Sequence, residues 1–217
     1  MNILLLGATG RTGKLVLAHA LQQGHRVSCL LRNSERLPPQ KNLSVFEGDP
    51  RNTAQVRKAI QGCQAAISVL NVSRTSDFPW APLRTPKTFL HDTMATLVPL
   101  ARKHQLQRMV LCSAWGVGDS RKDLPFWFRW TIDHSNISHA YREHERQEAL
   151  LRQSGLDHTI VRPVGLTNFN KNLGIQESFA NRPKPKVLVS RKAVAQYLVA
   201  CLKNKEVKNK TVVVSAL

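Results

Sequence analysis

Acidic residues are scarce in this chain. Only 14 Asp and Glu stand against 32 Lys and Arg, which leaves a formal charge of +18, and no carboxylate side chain precedes Glu35. A surface this poor in negative charge attracts polyanions. The basic residues are spread along the chain, and the densest stretch, residues 182–210, is interleaved with an apolar helical pattern. The excess therefore reads first as a general surface property and second as the footprint of a polyanion such as nucleic acid. Long apolar runs are also missing. None approaches the roughly 20 residues that span a bilayer. The opening run at 3–6 lacks a basic flank and passes straight into glycine, so no signal peptide and no membrane partner are expected. Cysteine is sparse: Cys29, Cys63, Cys112 and Cys201 form no C-x-x-C pair. That excludes a zinc site or disulfide framework and fits buried thiols in a reducing cytoplasm. Hydrophobic residues at 42% and charged ones at 21% exclude disorder and fibrous folds.

What is present is an alternation of elements. Residues 2–6 form a short apolar run typical of a strand buried on both faces. Residues 12–23 are rich in helix formers and stop at Gly24. Strands follow at 27–31 and 43–46, a helix N-capped by Thr53 runs to Gly62, and a strand covers 65–70. A loop rich in serine and proline over 71–87 precedes a helix from 88 to 104 and a strand at 108–112. Residues 114–136 read as irregular or short helices, 139–153 as a polar helix and 158–161 as a strand. After a long connection come a short strand at 187–189, a helix at 192–203 and a last strand at 211–214. This order predicts a parallel sheet covered on both faces. The expected fold is α/β, a Rossmann-like doubly wound sheet forming one domain over residues 1–217 with a small C-terminal elaboration. Ligands bind such sheets beyond the carboxyl ends of the strands, and the C-terminal third is expected to form the substrate pocket.

The first strand and its helix are joined by Gly7-Ala8-Thr9-Gly10-Arg11-Thr12-Gly13. A backbone that turns tightly, approaches a pyrophosphate and packs a helix on a strand needs glycine at three points. Gly7, Gly10 and Gly13 supply them, and the helix N-terminus offers amide donors to phosphate. The strand–loop–helix–strand context distinguishes this from a chance glycine pattern. An NAD site places Asp or Glu at the end of the second strand, roughly 20 residues after the glycines. Arg32 stands there instead. A carboxylate repels a 2′-phosphate, whereas guanidinium groups bind it. Arg32, supported by Arg11 or Arg36, thus points to NADP(H) ahead of NAD(H), the alternative being ordinary solvated arginines. On the same rim Asp49 is either an acceptor for the adenine amino group or a turn residue. Leu70 and Asn71 are placed to pass beneath the adenosine.

GATGRTG at 7–13, LLRNSERLP at 30–38, GD at 48–49, CSAWGVGDS at 112–120, HERQEALLRQSGLDHTIVRP at 144–163 and VSRKAVAQYL at 189–198 cover nearly the whole chain. Together they resemble the NmrA-like NAD(P)H-binding branch of the atypical short-chain dehydrogenases/reductases, the branch of biliverdin-IXβ reductase and the NADH-flavin reductases. The resemblance implies that Thr9, Arg11 and Thr12 touch the pyrophosphate and that Ser113 lies beside the nicotinamide. It implies that Pro163 marks where the backbone nears the carboxamide. The histidine that flavin-reducing relatives carry after that proline is replaced by Val164. The Y-x-x-x-K pair of typical dehydrogenases is also absent. Tyr141 is followed four residues later by Glu145, and alignment on the following SGL puts His144 at the place of the lysine. A glutamate raises a tyrosine's pKa, so tyrosine-driven carbonyl reduction is not expected.

The function implied is an NADPH-dependent oxidoreductase passing hydride to a small planar conjugated acceptor, flavin or quinone-like, with Ser113 orienting it. His144 is either a proton donor in a partly open cleft or a packing residue. Phe126, Trp127, Phe128 and Trp130 either sandwich the acceptor or pack on the core. The alternative function is a non-catalytic NADP(H) sensor, with a nucleic-acid binder behind both.

Overall fold

The alternation of a single strand sets the two layers. In β1 (Asn2–Leu6), Ile3 and Leu5 enter one apolar cluster and Leu4 and Leu6 the other, and all four are fully buried. Each such side chain contributes roughly 1.5–3 kcal/mol on burial. The computed structural model describes residues 1–169 and 174–217, with the side chain of Arg36 outside the described residues. The chain continues through α1 (Arg11–Gln22), β2 (Arg26–Leu31), β3 (Leu43–Glu47), α2 (Thr53–Ile60) and β4 (Ala65–Ser68). Next come α3 (Phe89–Lys103), β5 (Arg108–Cys112), α4 (Phe126–Asp133), α5 (Ile137–Gln153) and β6 (His158–Pro163). The last part holds β7 (Gly165–Thr167), β8 (Ile175–Ser178), β9 (Leu188–Ser190), α6 (Arg191–Ala200) and β10 (Lys210–Ala216).

The main sheet has the order β3-β2-β1-β4-β5-β6-β10-β8, parallel except for the antiparallel edge pairing of β8 with β10. Helices α1 and α6 cover one face, and α2, α3 and α5 the other. This is the expected doubly wound Rossmann arrangement. The order reverses at β1, between β2 and β4, and so opens a crevice at the carboxyl ends.

Three local expectations are corrected. Asn52, not Thr53, caps α2: its amide oxygen accepts from the backbone N–H of Ala54 and Gln55. The connection after β6 contains two strands the sequence pattern does not mark, β7, which pairs with β9, and β8. The strand expected at 65–70 stops at Ser68, where the chain leaves the sheet to line the crevice.

Helix α5 reads as polar but is not a solvated face. Glu143, His144, Gln147 and Glu148 are all buried. The spacing i, i+1, i+4, i+5 puts them on one stripe, and each finds a partner. Glu143 accepts from the backbone N–H of Leu90 and His91, both at 3.1 Å, and so caps α3, whose own Thr88 makes no capping bond. Glu148 makes a two-point pair with the equally buried Arg162 of β6, at 3.0 and 2.7 Å.

Candidate functional site

Two of the three loop glycines are sterically required. Gly7 has φ +88°, and a Cβ there would meet the Val69 carbonyl at 3.0 Å; a Cβ on Gly13 would come within 1.9 Å of the Gly7 oxygen. Gly10 occupies the cap position of α1 with no side chain to offer, and the first turn carries no acid. The leading amides of α1 are thus left open to an anion at the positive end of the helix. Above them lies a cleft of about 480 Å³, lined by Thr9, Arg11, Thr12, Arg32, Leu70, Asn71, Ser113 and His144 among others.

Six of the seven loop residues, all but the buried Ala8, and four strand ends line the cleft, but their partners differ from expectation in several places. Arg32 is exposed at the end of β2 and makes no ion pair among the described residues. Glu47, paired with Leu31 across the sheet, is held by the Ser34 hydroxyl at 2.7 Å, while Asp49 lies close enough for the Arg32 charge to help lower its pKa. Arg11 reaches across the cleft mouth to Asp77, with two bonds of 2.7 and 2.8 Å. Asp77 was not singled out by the sequence, nor were Arg74 and Arg191, which also line the cleft. Asp49 takes the turn role. It accepts from the Arg51 backbone at 2.9 Å, and the Arg51 guanidinium pairs with its carboxylate and holds its pKa below the usual range. Pro50 rather than Asp49 lines the cleft. Pro163 ends β6, buried in the sheet, its carbonyl accepting from the Trp115 N–H; it does not line the cleft, whereas Leu166 does. The support expected from Arg36 lies outside the described residues.

The two candidates for chemistry behave differently. Ser113 is 7% exposed, and its hydroxyl is buried with no partner among the described residues. A lone buried hydroxyl at a cleft wall is costly unless something else completes it. His144 is 3% exposed and fully engaged: Gln147 donates to Nδ1 at 2.6 Å, and Nε2 donates to the Asn71 oxygen at 3.2 Å. Burial pulls its pKa down to about 4, only partly opposed by Glu148. The ring is neutral at pH 7, so the expectation of a proton donor in an open cleft is corrected: His144 holds Asn71 in place. Tyr141 is likewise committed. Its hydroxyl donates to the Trp115 carbonyl at 3.1 Å, and burial pushes its pKa up to about 12. The aromatic group is the largest departure. None of Phe126, Trp127, Phe128 and Trp130 lines the cleft. Only Phe128 packs against the core, while the other three are exposed.

The residues fit a dinucleotide. The glycine cradle would be filled by any Cβ, the helix start is uncapped, Arg32 is available for a phosphate, and an unsatisfied hydroxyl waits at the far wall. The four cysteines are free thiols, no metal-binding cluster occurs among the described residues, and no described helix is long and apolar enough to cross a membrane.

Comparison with known proteins agrees. The chain is 24% identical over 220 residues to the photosystem II assembly factor Ycf39 of Trieres chinensis, covering 98% of this chain. It spans only 63% of that relative's length. A short-chain dehydrogenase/reductase from Veillonella parvula in complex with NADP superposes with a TM-score of 0.80 at 20% identity, covering 99% of this chain and 94% of that one. ChuY, an anaerobilin reductase from Escherichia coli O157:H7, gives 0.80 at 22% identity, covering 100% and 97%. Identities this low establish the shared fold. A model of NAD(P)H-binding proteins matches residues 7–205, from the first glycine of the cradle to beyond the end of α6, and the chain belongs to that NAD(P)H-binding family.

Proposed function

We propose that the protein is an NADPH-dependent reductase that passes hydride to a planar conjugated acceptor, a flavin or quinone-like ring. The observation that carries this is the unpartnered Ser113 hydroxyl on the wall of a cleft that also presents Arg32 without an ion pair among the described residues. When bound, the cofactor supplies the hydride, and the chemistry is its own. The chain's residues bind and orient: the α1 amides hold the pyrophosphate, Arg32 the 2′-phosphate, and Ser113 the carboxamide or acceptor. Leu166 and Arg191, from the C-terminal third, also line the cleft, which supports a substrate role for that part of the chain. His144 and Tyr141 hold their protons in place, so solvent protonates the reduced acceptor. Flavins and quinones tolerate this, whereas an isolated ketone needs a protein acid. The buried thiols support a cytoplasmic setting. The printed name of ChuY, a reductase of similar fold, supports the reaction class. Steady-state oxidation of NADPH with FMN, beside NADH and a blank without enzyme, tests the reading. Saturable turnover favouring NADPH is expected.

The second reading is a non-catalytic NADP(H) sensor. It is favoured by the same commitment of Tyr141 and His144, which removes the acid–base pair of the typical dehydrogenases. Saturable NADPH binding with no turnover on flavin or quinone acceptors selects it.

A further inference from the structure

The aromatic residues that fail to reach the cleft form a surface of their own. On α4, Phe126 is 75% exposed, Trp127 67% and Trp130 49%, values at which a tryptophan is neither core nor pocket. Positions 126, 127 and 130 share one helix face. Trp130 stacks on His134 with centroids 4.7 Å apart. The His134 carbonyl accepts the indole N–H of Trp80 at 2.6 Å, and Asn136 donates to the Trp80 carbonyl at 2.8 Å. Trp80 in turn lies against Phe78, centroids 5.2 Å apart. Five exposed aromatic rings are thus tied into one patch built from α4 and the loop after β4. That loop also supplies Asn71, Arg74 and Asp77 to the cleft wall, so the patch adjoins the cleft mouth.

We propose that this patch docks the protein on the surface of an anionic lipid bilayer. Soluble monomers rarely expose a contiguous apolar patch without a use for it. Tryptophan and phenylalanine flanked by cations is the composition that settles at headgroup level, ring inward and polar edge outward. The flanks are cationic: Arg84, Lys87 and Lys122 are exposed and make no ion pair among the described residues. Of the carboxylates near the patch, Asp77 and Asp133 are neutralised by Arg11 and Arg121, and Asp123 stands beside Lys122. A second copy of the chain is the less favourable occupant, because each copy carries +18 and would bring like charge to the contact. An anionic surface gains from that same charge, at about 1 kcal/mol for each Lys or Arg close to it. The inference reverses the expectation of no membrane partner and does not depend on the reaction proposed above.

The test uses the intact protein with phosphatidylglycerol–phosphatidylcholine vesicles, and pure phosphatidylcholine as the control. Binding to the anionic vesicles is expected, with blue-shifted tryptophan emission and quenching by lipids brominated in the acyl chains. The double variant Trp127→Ser/Trp130→Ser, checked for unchanged circular dichroism and NADPH binding, is expected to partition roughly tenfold more weakly, a loss of about 1.4 kcal/mol. Absence of vesicle binding overturns the proposal. So does binding without acyl-chain quenching that the double substitution leaves unchanged, which would mean charge attraction alone. A wild-type dimer in light scattering that the double variant splits, with no quenching by brominated lipid, overturns it in favour of a self-interface.

Discussion

The imidazole of His144 donates from Nε2 to the side-chain oxygen of Asn71, 3.2 Å away, and that oxygen also accepts the backbone N–H of Val72 at 2.8 Å. One atom of Asn71 thus ties α5 to the chain just beyond β4, on the wall of the cleft. Gln147 donates to Nδ1 from the other side, so a second proton on the ring would break that bond and leave a charge buried.

This gives a pH prediction. The pKa of His144 is about 4 in the folded protein and near 6.5 when unfolded. The unfolded chain therefore binds the extra proton, and stability falls as pH drops. The contribution is complete above pH 6.5 and lost progressively down to about 4. Its full size is on the order of 3 kcal/mol. Urea unfolding of the wild type between pH 7 and 4.5 is expected to show this slope, and His144→Gln to flatten it. Equal slopes in the two proteins would mean that the ring is not buried neutral.

The Glu148–Arg162 pair makes a stability prediction. Both side chains are almost wholly buried, and Arg162 also reaches Asp119 at 2.7 Å. Removing one partner of such a pair strands a charge and costs about 3–5 kcal/mol. Glu148→Gln is expected at the low end, because Asp119 remains. Glu148→Met combined with Arg162→Met should be less destabilised than Glu148→Gln, as read from urea midpoints. A milder effect for Glu148→Gln than for the double variant would contradict a desolvated pair.

The role proposed for Arg32 predicts a cofactor preference. Replacing a charge-assisted phosphate contact of about 1.5–3 kcal/mol by a repelling carboxylate should raise the KM for NADPH by roughly ten- to a hundredfold. Arg32→Glu should leave the KM for NADH within a few-fold of the wild type. An unchanged KM for NADPH would refute the assignment to the 2′-phosphate.

The legible and illegible parts of the molecule divide along physical lines. β1 could be read because a strand buried on both faces is a continuous apolar run, and the loop at 7–13 because backbone geometry admits only glycine at Gly7 and Gly13. β7 and β8 could not be read. They are short, half-exposed and held by pairing with β9 and β10, which lie far along the chain. Helix α5 misled in the opposite direction. Its buried stripe is polar because Glu143, His144 and Glu148 meet partners on other elements, with Gln147 bonded to His144, and only the fold reveals those partners. The same holds for Arg11, whose place in the loop was clear but whose partner Asp77 lies 66 residues away. The aromatic cluster at 126–130 carries a helical pattern, yet nothing in that pattern distinguishes a face turned to the core from one turned to solvent.

Ser113 offers the sharpest separation of function from stability. Its hydroxyl is buried without a hydrogen-bond partner, so the folded chain already bears the cost of leaving it unsatisfied. Ser113→Ala removes that cost and should leave the urea midpoint unchanged or slightly higher. If the hydroxyl orients the carboxamide or acceptor, the same substitution should lower kcat roughly tenfold, a loss of about 1.4 kcal/mol in the transition state. The KM for NADPH should change little, because Arg32 and the α1 amides carry most of the binding. A destabilised variant with normal turnover would show instead that the hydroxyl serves the fold. Unchanged turnover at unchanged stability would remove Ser113 from the site.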